Sequence, residues 1–151
     1  MTVVYAEETL SQAKADAIPL LIRHYEEIAL NKDIIKFNPN WDMYEKYESI
    51  GALKIYTARE DGIMIGYFVV SVAPNLHYQD HIFAQNDIIY IAPEHRKGFA
   101  GWKLIKFAEE KLKEYGASIL MINVKRHKPF DKLLDRLGFE HIENVFAKRL
   151  I

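Results

Sequence analysis

Hydrophobic and polar positions along this chain change repeatedly between a period of two and a period of three to four. Alternating or continuous apolar runs predict strands over 2–6, 52–59, 63–73, 88–91 and 118–124. Helical spacing predicts helices over 9–28, 41–50 and 130–137, and a further helix that ends near 115. Two last strands are predicted over 139–142 and 145–150, so the chain reads as a single α/β (α+β) domain over 1–151.

Turn and breaker residues refine this pattern. Pro19 lies inside the first predicted helix, which should therefore kink or restart there. Asp61-Gly62 is a tight-turn dipeptide that joins 52–59 and 63–73 as a hairpin. The run 63–73 is long and apolar enough for a central strand, whereas 2–6 is typical of an edge strand.

Composition narrows the class of protein. The chain has 151 residues, a formal net charge of -1 and no cysteine. The balanced charge gives no general attraction to nucleic acid or to an anionic membrane. The lack of cysteine excludes disulfides, thiolate metal sites and a cysteine nucleophile. Because no apolar run approaches 18 residues and no signal-peptide pattern is present, a soluble cytoplasmic protein is predicted.

The stretch 87–110 combines an apolar strand, a basic turn and an amphipathic helix. Such a helix start leaves backbone N–H groups without partners and carries partial positive charge. Arg96, Lys97 and Lys103 add mobile positive charge, and Gly98 and Gly101 are expected to allow unusual dihedral angles and a close approach to a ligand. The stretch therefore indicates a phosphate site, although a basic surface loop with a helix cap fits the same residues. No Walker pattern and no GxGxxG occurs, so a different phosphate-bearing cofactor is expected.

These residues resemble the signature of the GNAT family of N-acetyltransferases. The signature is Arg or Gln, any two residues, Gly, any residue, then Gly or Ala, placed after the fourth strand. Arg96 and Gly101 match its ends, whereas Phe99 stands at the middle glycine and Gly98 comes one place early. Residues 133–139 are similar to the segment that closes the family's last helix. The sequence as a whole also resembles members of the family found in phage genomes.

The resemblance implies a mixed sheet of about seven strands flanked by about four helices. It also implies transfer of an acetyl group from acetyl-CoA, without a metal, to a primary amine on a small molecule or a protein. Backbone groups of Ile89 and Ile91 are expected to hold the pantetheine and the acetyl carbonyl, and His127 is expected to contact the pantetheine. The implied diphosphate site consists of Arg96, Lys97, Gly98, Phe99, Ala100, Gly101, Trp102 and Lys103.

Two positions of the sequence bear on the catalytic base and the general acid. The family's usual glutamate position falls on Gln85, and Asp87 is the nearest substitute. A period of two places both on the face of Ile89 and Ile91 if no bulge intervenes. Asp87 is therefore either the base or a capping or pairing residue of the strand. Leu134 occupies the position of the family's usual acidic tyrosine and cannot donate a proton; solvent, His127, Tyr78 or Tyr90 remain as alternatives.

Four residues are expected near the acceptor. Trp41 and Tyr44 lie on an aromatic stripe that is more often core than binding site, but the resembled fold borders the acceptor pocket with these helices. His77 and Tyr78 lie in a predicted loop and favour a polar wall of the cleft. A metal site at His77 and His81 is disfavoured because a loop does not bring that pair together.

Two other classes of function remain open at this stage. The departures at Phe99, Leu134 and His127 are compatible with a catalytically weak acyl-CoA sensor or a protein-interaction module on the same fold. Nucleic-acid binding through the scattered lysines is less compatible with the charge balance. The sequence identifies neither the acceptor amine nor whether the protein is a monomer or a homodimer.

Overall fold

The computed structural model describes residues 2–151. The described chain forms five strands: β1 Val3–Glu8, β2 Leu53–Glu60, β3 Ile63–Pro74, β4 Ile82–Ile91 and β5 Ala117–Met121. It also forms four α-helices: α1 Leu10–Ile28, α2 Trp41–Ser49, α3 Ala100–Tyr115 and α4 Asp131–Arg136. A short 3₁₀ turn, Pro93–His95, connects β4 to α3. The elements predicted up to residue 137 are therefore present, in the predicted order.

The strands form one mixed sheet in the order β1-β2-β3-β4-β5. Neighbours from β1 to β4 run antiparallel, and β4 and β5 run parallel. As predicted, β1 is an edge strand and β3 is central, since residues 64–70 of β3 are all buried. The predicted hairpin joins β2 and β3 through Asp61 and Gly62, both of which have the positive φ that such a turn requires.

Helices cover both faces of the sheet, so that there are two hydrophobic layers. On one face, Leu104, Ile105 and Leu112 of α3 and Leu134 of α4 pack against β2, β3 and β4. On the other face, α1 and α2 pack against alternate residues of the same strands. Because the middle strands face apolar layers on both sides, they read in the sequence as nearly continuous hydrophobic runs.

Helix α1 is continuous through Pro19, so the predicted restart does not occur. Thr9 begins the helix with a capping box, in which its side chain accepts from the Gln12 N–H and the Gln12 side chain accepts from the Thr9 N–H. Pro19 lies on the exposed side of the helix. Burial of Leu20 and its neighbours against the sheet therefore outweighs the local cost of the proline.

The predicted sheet of about seven strands is wrong in number. Residues 139–151, all of which the structure describes, form no strand. Their sequence favours extended backbone, but a strand also needs a partner for its N–H and C=O groups. Along this segment the backbone finds no neighbouring strand, and every residue from 140 to 151 is exposed.

Candidate active site

Strands β4 and β5 separate partway along their length and form a fork. Their parallel pairing ends at Gln85 opposite Met121. Just beyond this point the Gln85 side chain donates to the Asn123 side chain at 2.9 Å, and the Asn123 N–H donates to the Asn86 side chain at 2.7 Å. These amides close the base of the fork. From Asn86 to Ile91 no other strand of residues 2–151 pairs with this edge of β4.

The backbone of Ile91 faces the opening of the fork. The N–H of the next residue, Ala92, donates to the Ile65 carbonyl on the β3 side at 2.8 Å. Because backbone groups alternate sides along an antiparallel strand, those of Ile91 and Ile89 face away from β3. The Ile91 carbonyl already accepts from Arg96 Nε at 2.7 Å, and the cofactor-binding role of both residues stays a prediction.

The start of helix α3 offers free hydrogen-bond donors. No side chain caps this helix. Within the described chain, the N–H groups of Ala100, Gly101 and Trp102 find no backbone or side-chain acceptor. A cleft of about 470 Å³, lined in part by Ala100 and Lys103, opens between this helix start and β1. Free amides, the helix dipole and open space together suit an anion.

The two glycines of this turn do not act through unusual dihedral angles. Neither Gly98 nor Gly101 belongs to the glycines with positive φ, which corrects that part of the prediction. A Cβ at Gly101 would lie 3.8 Å from both Ile91 Cγ1 and Leu133 Cδ2, and one at Gly98 would meet no atom within 4 Å. What Gly101 provides is a surface without a side chain between the fork and α4.

The basic residues of the turn differ in their partners. Lys97 and Lys103 are exposed. The Arg96 guanidinium instead donates to both carboxylate oxygens of Glu27, at 3.0 and 3.1 Å, and lies over the Tyr90 ring. In this state Arg96 fastens the turn to α1. The exposed ion pair between Arg23 and Glu94 fastens the same turn a second time.

A bulge in β4 changes the predicted placement of Asp87. Val69 pairs with Ile88 but Val70 pairs with Asn86, so Asp87 is an extra residue. Ile88 then packs on the α1 and α2 face, and Ile89 packs on the α3 face. Asp87 accepts a hydrogen bond from the Tyr44 hydroxyl of α2. Its carboxylate therefore lies on the α2 side, and the prediction that it shares the face of Ile89 and Ile91 is wrong.

Tyr44 contributes to both the core and this site. Its ring and that of Trp41 pack against the α1 and α2 layer, as the aromatic stripe predicted. Burial raises the pKa of the Tyr44 hydroxyl, and the hydrogen bond to Asp87 raises it further. The hydroxyl is thus a stable donor at neutral pH. A small cleft of about 100 Å³ adjoins the pair and is also lined by Met43 and Tyr47.

A buried polar pair behind this site was not predicted. His24 Nδ1 lies 2.8 Å from the Tyr67 hydroxyl, and the His24 ring stacks on Tyr90 with centroids 4.7 Å apart. Burial lowers the pKa of His24 to about 4 and raises that of Tyr67. The sequence did contain a signal: His24 follows Leu20 by four residues on the apolar stripe of α1, where a polar residue needs a buried partner.

Three further predicted residues have defined surroundings. His127 lies in the loop after β5, and its Nε2–H donates to the Ile28 carbonyl at 3.0 Å, which ties this loop to the end of α1. Leu134 is buried in the α3 layer, where it packs and offers no proton. Trp41 faces Lys14, whose Nζ lies 4.6 Å from the ring centroid.

His77 and Tyr78 are not brought to the fork. They lie in the turn before β4, where Tyr78 stacks on Phe83 and both N–H groups donate to the Asn75 side chain. The fork opens toward the other end of β4, which is roughly 30 Å long at about 3.3 Å per residue. Their role at the acceptor has no support from the geometry and stays a prediction.

Among residues 2–151, no group of three His, Cys, Asp or Glu side chains could hold a metal ion. Nor does that part of the chain contain a helix long and apolar enough to cross a membrane.

A mixed sheet covered on both faces, with a fork beside an uncapped helix start, is an arrangement suited to an acyltransferase that uses a phosphate-bearing cofactor. The sequence pattern of the acetyltransferase (GNAT) family matches residues 21–139, which is more than half of the chain. The chain therefore belongs to the GNAT acetyltransferase family, which uses acetyl-CoA. No curated protein matches the sequence closely enough to count as a relative.

Solved structures with the same fold include several acetyltransferases. The ribosomal-protein-alanine N-acetyltransferase of Brucella melitensis biovar Abortus 2308 is 24% identical, with 99% of each chain covered and a TM-score of 0.73. An aminoglycoside acetyltransferase from an uncultured soil metagenomic sample, in complex with sisomicin, is 13% identical over 99% of this chain and 97% of that chain, with a TM-score of 0.76. Glucosamine-6-phosphate N-acetyltransferase from Arabidopsis thaliana is 13% identical over 100% of both chains, with a TM-score of 0.75. At these identities the likeness shows the fold.

Proposed function

We propose that this protein transfers an acetyl group from acetyl-CoA directly to a primary amine. The observation that carries the proposal is the open edge of β4, from Asn86 to Ile91, next to the free N–H groups at the start of α3. Acetyl-CoA supplies an acetyl group already activated as a thioester. The protein then has to hold this group, polarise its carbonyl and remove a proton from the amine.

The turn before α3 holds the diphosphate in this proposal. The N–H groups of Ala100, Gly101 and Trp102 donate to it, while Lys97 and Lys103 add positive charge. Arg96 joins them by exchanging the carboxylate of Glu27 for the ligand. Phe99 is exposed at the N-cap and contributes its backbone rather than its ring. In this proposal the residues of the signature still form the diphosphate site, although Gly98 lies one position before the family's middle glycine.

The open edge of β4 orients the reacting group. Ile89 presents its N–H toward the fork, where it polarises the acetyl carbonyl, and the N–H of Ile91 contacts the pantetheine. His127 lies in the loop that leaves β5 beyond the fork and contacts the pantetheine from the other side. These contacts depend on backbone position, which is why apolar side chains are compatible with them.

Asp87 is proposed as the base. Its carboxylate lies on the α2 side of β4, beside the small cleft, and the Tyr44 hydroxyl holds it in place. A carboxylate at this position takes the proton from an ammonium group directly or through water. Solvent protonates the leaving thiolate in this proposal, because buried Leu134 replaces the family tyrosine and Tyr90 is packed against His24.

The acceptor is an amine whose identity the fold does not fix. The solved neighbours act on acceptors as different as a ribosomal protein, an aminoglycoside and an amino-sugar phosphate, as their names state. Trp41 and Tyr44 border the candidate acceptor side through α2, and the acceptor enters there. A cytoplasmic location and a likeness to phage-encoded members stay predictions from the sequence.

Calorimetry and thiol release test the proposal together. We expect wild-type protein to bind coenzyme A and Gly101→Glu to bind it at least tenfold more weakly, because the new carboxylate competes for the free amides. Ala15→Glu adds the same charge at an exposed position of α1 and should bind as wild type. Release of coenzyme A thiol is then measured with polyamines, amino acids, aminoglycosides and peptide N-termini.

The results separate the enzyme from the alternative sensor. The sensor remains an alternative because Leu134, at the position of the family's acidic tyrosine, is buried and cannot donate a proton. Binding with amine-dependent thiol release supports the transferase. Tight binding without release across the whole panel would favour a sensor or an interaction module. Absence of binding, with Gly101→Glu indistinguishable from wild type, would contradict both.

A further inference from the structure

The small cleft beside Asp87 is mostly apolar. Its volume is about 100 Å³, and it lies between α2 and the strands β2 and β4. It is lined by Asn40, Met43, Tyr44, Tyr47, Leu53 and Asp87. Most of these side chains present carbon atoms, and Leu53 is only 6% exposed. Such a lining favours a ligand whose own surface is apolar, because contact removes apolar area of both from water.

Asp87 supplies the charge of this cleft. Within residues 2–151 it is the single charged residue of the lining. Its Oδ2 accepts from the Tyr44 hydroxyl, whereas no group of the described chain donates to Oδ1. Because Asp87 is exposed, Oδ1 can accept from one ammonium group of a ligand. A phosphate would meet this carboxylate without a lysine or arginine of the lining to offset the repulsion.

The other polar groups of the cleft are few. The Asn40 carbonyl oxygen is occupied, since it accepts from the Met43 N–H at 3.1 Å and caps α2. The Tyr44 hydroxyl donates to Asp87. In the described chain this leaves the Tyr47 hydroxyl and the Asn40 amide N–H groups without partners. A ligand with several hydroxyl or ammonium groups would therefore lose more hydrogen bonds to water than it gains here.

We propose that the acceptor is a primary monoamine with a compact apolar group, of the size of a short alkyl chain. Its ammonium group donates to Asp87 Oδ1, and its apolar group packs between Met43, Tyr47 and Leu53. A closed apolar cavity of about 150 Å³ holds a benzene ring, so this smaller, open cleft suits a chain of about four carbons. The inference rests on the proposed function, because it names the acceptor of that reaction.

The chemistry follows from this placement. Asp87 accepts one proton from the ammonium group and passes it to solvent. The amine nitrogen then attacks the thioester carbon, and the new C–N bond replaces the C–S bond. The nitrogen loses a second proton, and the leaving thiolate gains one from solvent. The products are an N-alkylacetamide, the coenzyme A thiol and one proton.

Matched amines in the thiol-release assay test the inference. Butylamine, propanolamine and putrescine have nearly the same length, but their far ends carry a methyl, a hydroxyl and an ammonium group. We expect kcat/KM for butylamine, calculated on the free amine at one pH, to exceed that for the other two about tenfold or more. From ethylamine to butylamine it should rise about three- to fourfold per CH₂ group.

A change of the lining should change this preference. Met43→Asp replaces an apolar side chain of the cleft by a second carboxylate, so the second ammonium group of putrescine gains a partner. We expect the ratio of kcat/KM for putrescine to that for butylamine to rise about tenfold or more. Ile50→Asp is the matched control, because Ile50 is 76% exposed just after α2 and does not line the cleft. Its ratio should equal that of wild type, and circular dichroism verifies that both variants fold.

The outcomes separate this inference from the proposed function. Thiol release with propanolamine or putrescine as efficient as with butylamine would overturn the inference and leave the transferase intact. Equal ratios in Met43→Asp and Ile50→Asp would do the same. Release with peptide N-termini alone would overturn it in favour of a protein acceptor. No release with any amine would overturn the proposed function and the inference together.

Discussion

Gly66 allows β3 and the end of β4 to lie unusually close together. A Cβ at this position would be 2.4 Å from Ile91 Cδ1 and 2.6 Å from the Tyr90 carbonyl oxygen. The oxygen belongs to the backbone, so relief requires β4 to move by roughly 0.8 Å to restore ordinary van der Waals contact. Overpacking of this kind costs about 1–3 kcal/mol. We therefore expect Gly66→Ala to lower the unfolding free energy by about 2 kcal/mol.

Urea denaturation at neutral pH measures this loss. Gly98→Ala is the matched control, because a Cβ there meets no atom within 4 Å, and it should change the unfolding free energy by less than about 0.5 kcal/mol. The displacement in Gly66→Ala also moves Ile91, whose carbonyl accepts from Arg96, so the KM for acetyl-CoA should rise as well. Equal stabilities of the two variants would refute the close approach of β3 and β4.

Three further predictions concern side chains. Burial lowers the pKa of His24 to about 4, so the stability that the neutral side chain contributes is fully present above the unfolded pKa near 6.5 and is lost as pH falls toward 4. Between pH 7 and pH 4, urea denaturation should show the unfolding free energy of wild type falling by about 3 kcal/mol more than that of His24→Gln. Equal decreases in the two proteins would contradict this. Asp87→Asn should lower kcat about 100-fold or more with little change in the KM for acetyl-CoA. Tyr44→Phe, which removes the hydroxyl that donates to Asp87, should lower kcat about tenfold. An unchanged kcat in Asp87→Asn would show that Asp87 is not the base. Arg59→Met should cost about 2 kcal/mol in urea denaturation, since it leaves the largely buried Glu8 carboxylate without its main partner; a loss below about 0.5 kcal/mol would mean that the pair adds nothing.

Local patterns in the sequence predicted most of the fold because burial dictates them directly. The hairpin of β2 and β3 follows from alternation around Asp61 and Gly62, and α3 follows from apolar residues at helical spacing. The restart of α1 predicted at Pro19 is wrong, because tertiary packing of the helix outweighs the local effect of the proline. The two strands predicted within 139–151 are also wrong, because propensity for extended backbone does not specify where a partner strand lies.

The candidate site was predictable only in part, for a related reason. Ile89 and Ile91 became candidates through the family resemblance, and the start of α3 became one because a strand, a turn and a helix leave a pattern in one continuous stretch. The ion pair of Arg96 with Glu27 joins residues far apart in sequence, and no local pattern encodes it. Tyr44 and Asp87 were each selected as candidates, but their hydrogen bond depends on a bulge that the sequence does not mark.

The bulge in β4 also restricts how the length of this strand can vary. Because Asp87 is the extra residue opposite β3, removal of one residue between 85 and 88 would restore regular alternation and leave the strand up to Ile91 on its present faces. One residue inserted between Ile88 and Tyr90 would instead exchange the sheet faces of Tyr90 and Ile91. Tyr90 would then leave the ring of His24 and enter the layer of α3. Insertions or deletions in descendants of this gene should therefore accumulate in the connections and spare the strand. Within the strand, loss of one residue at the bulge should survive more often than gain of one residue beyond it.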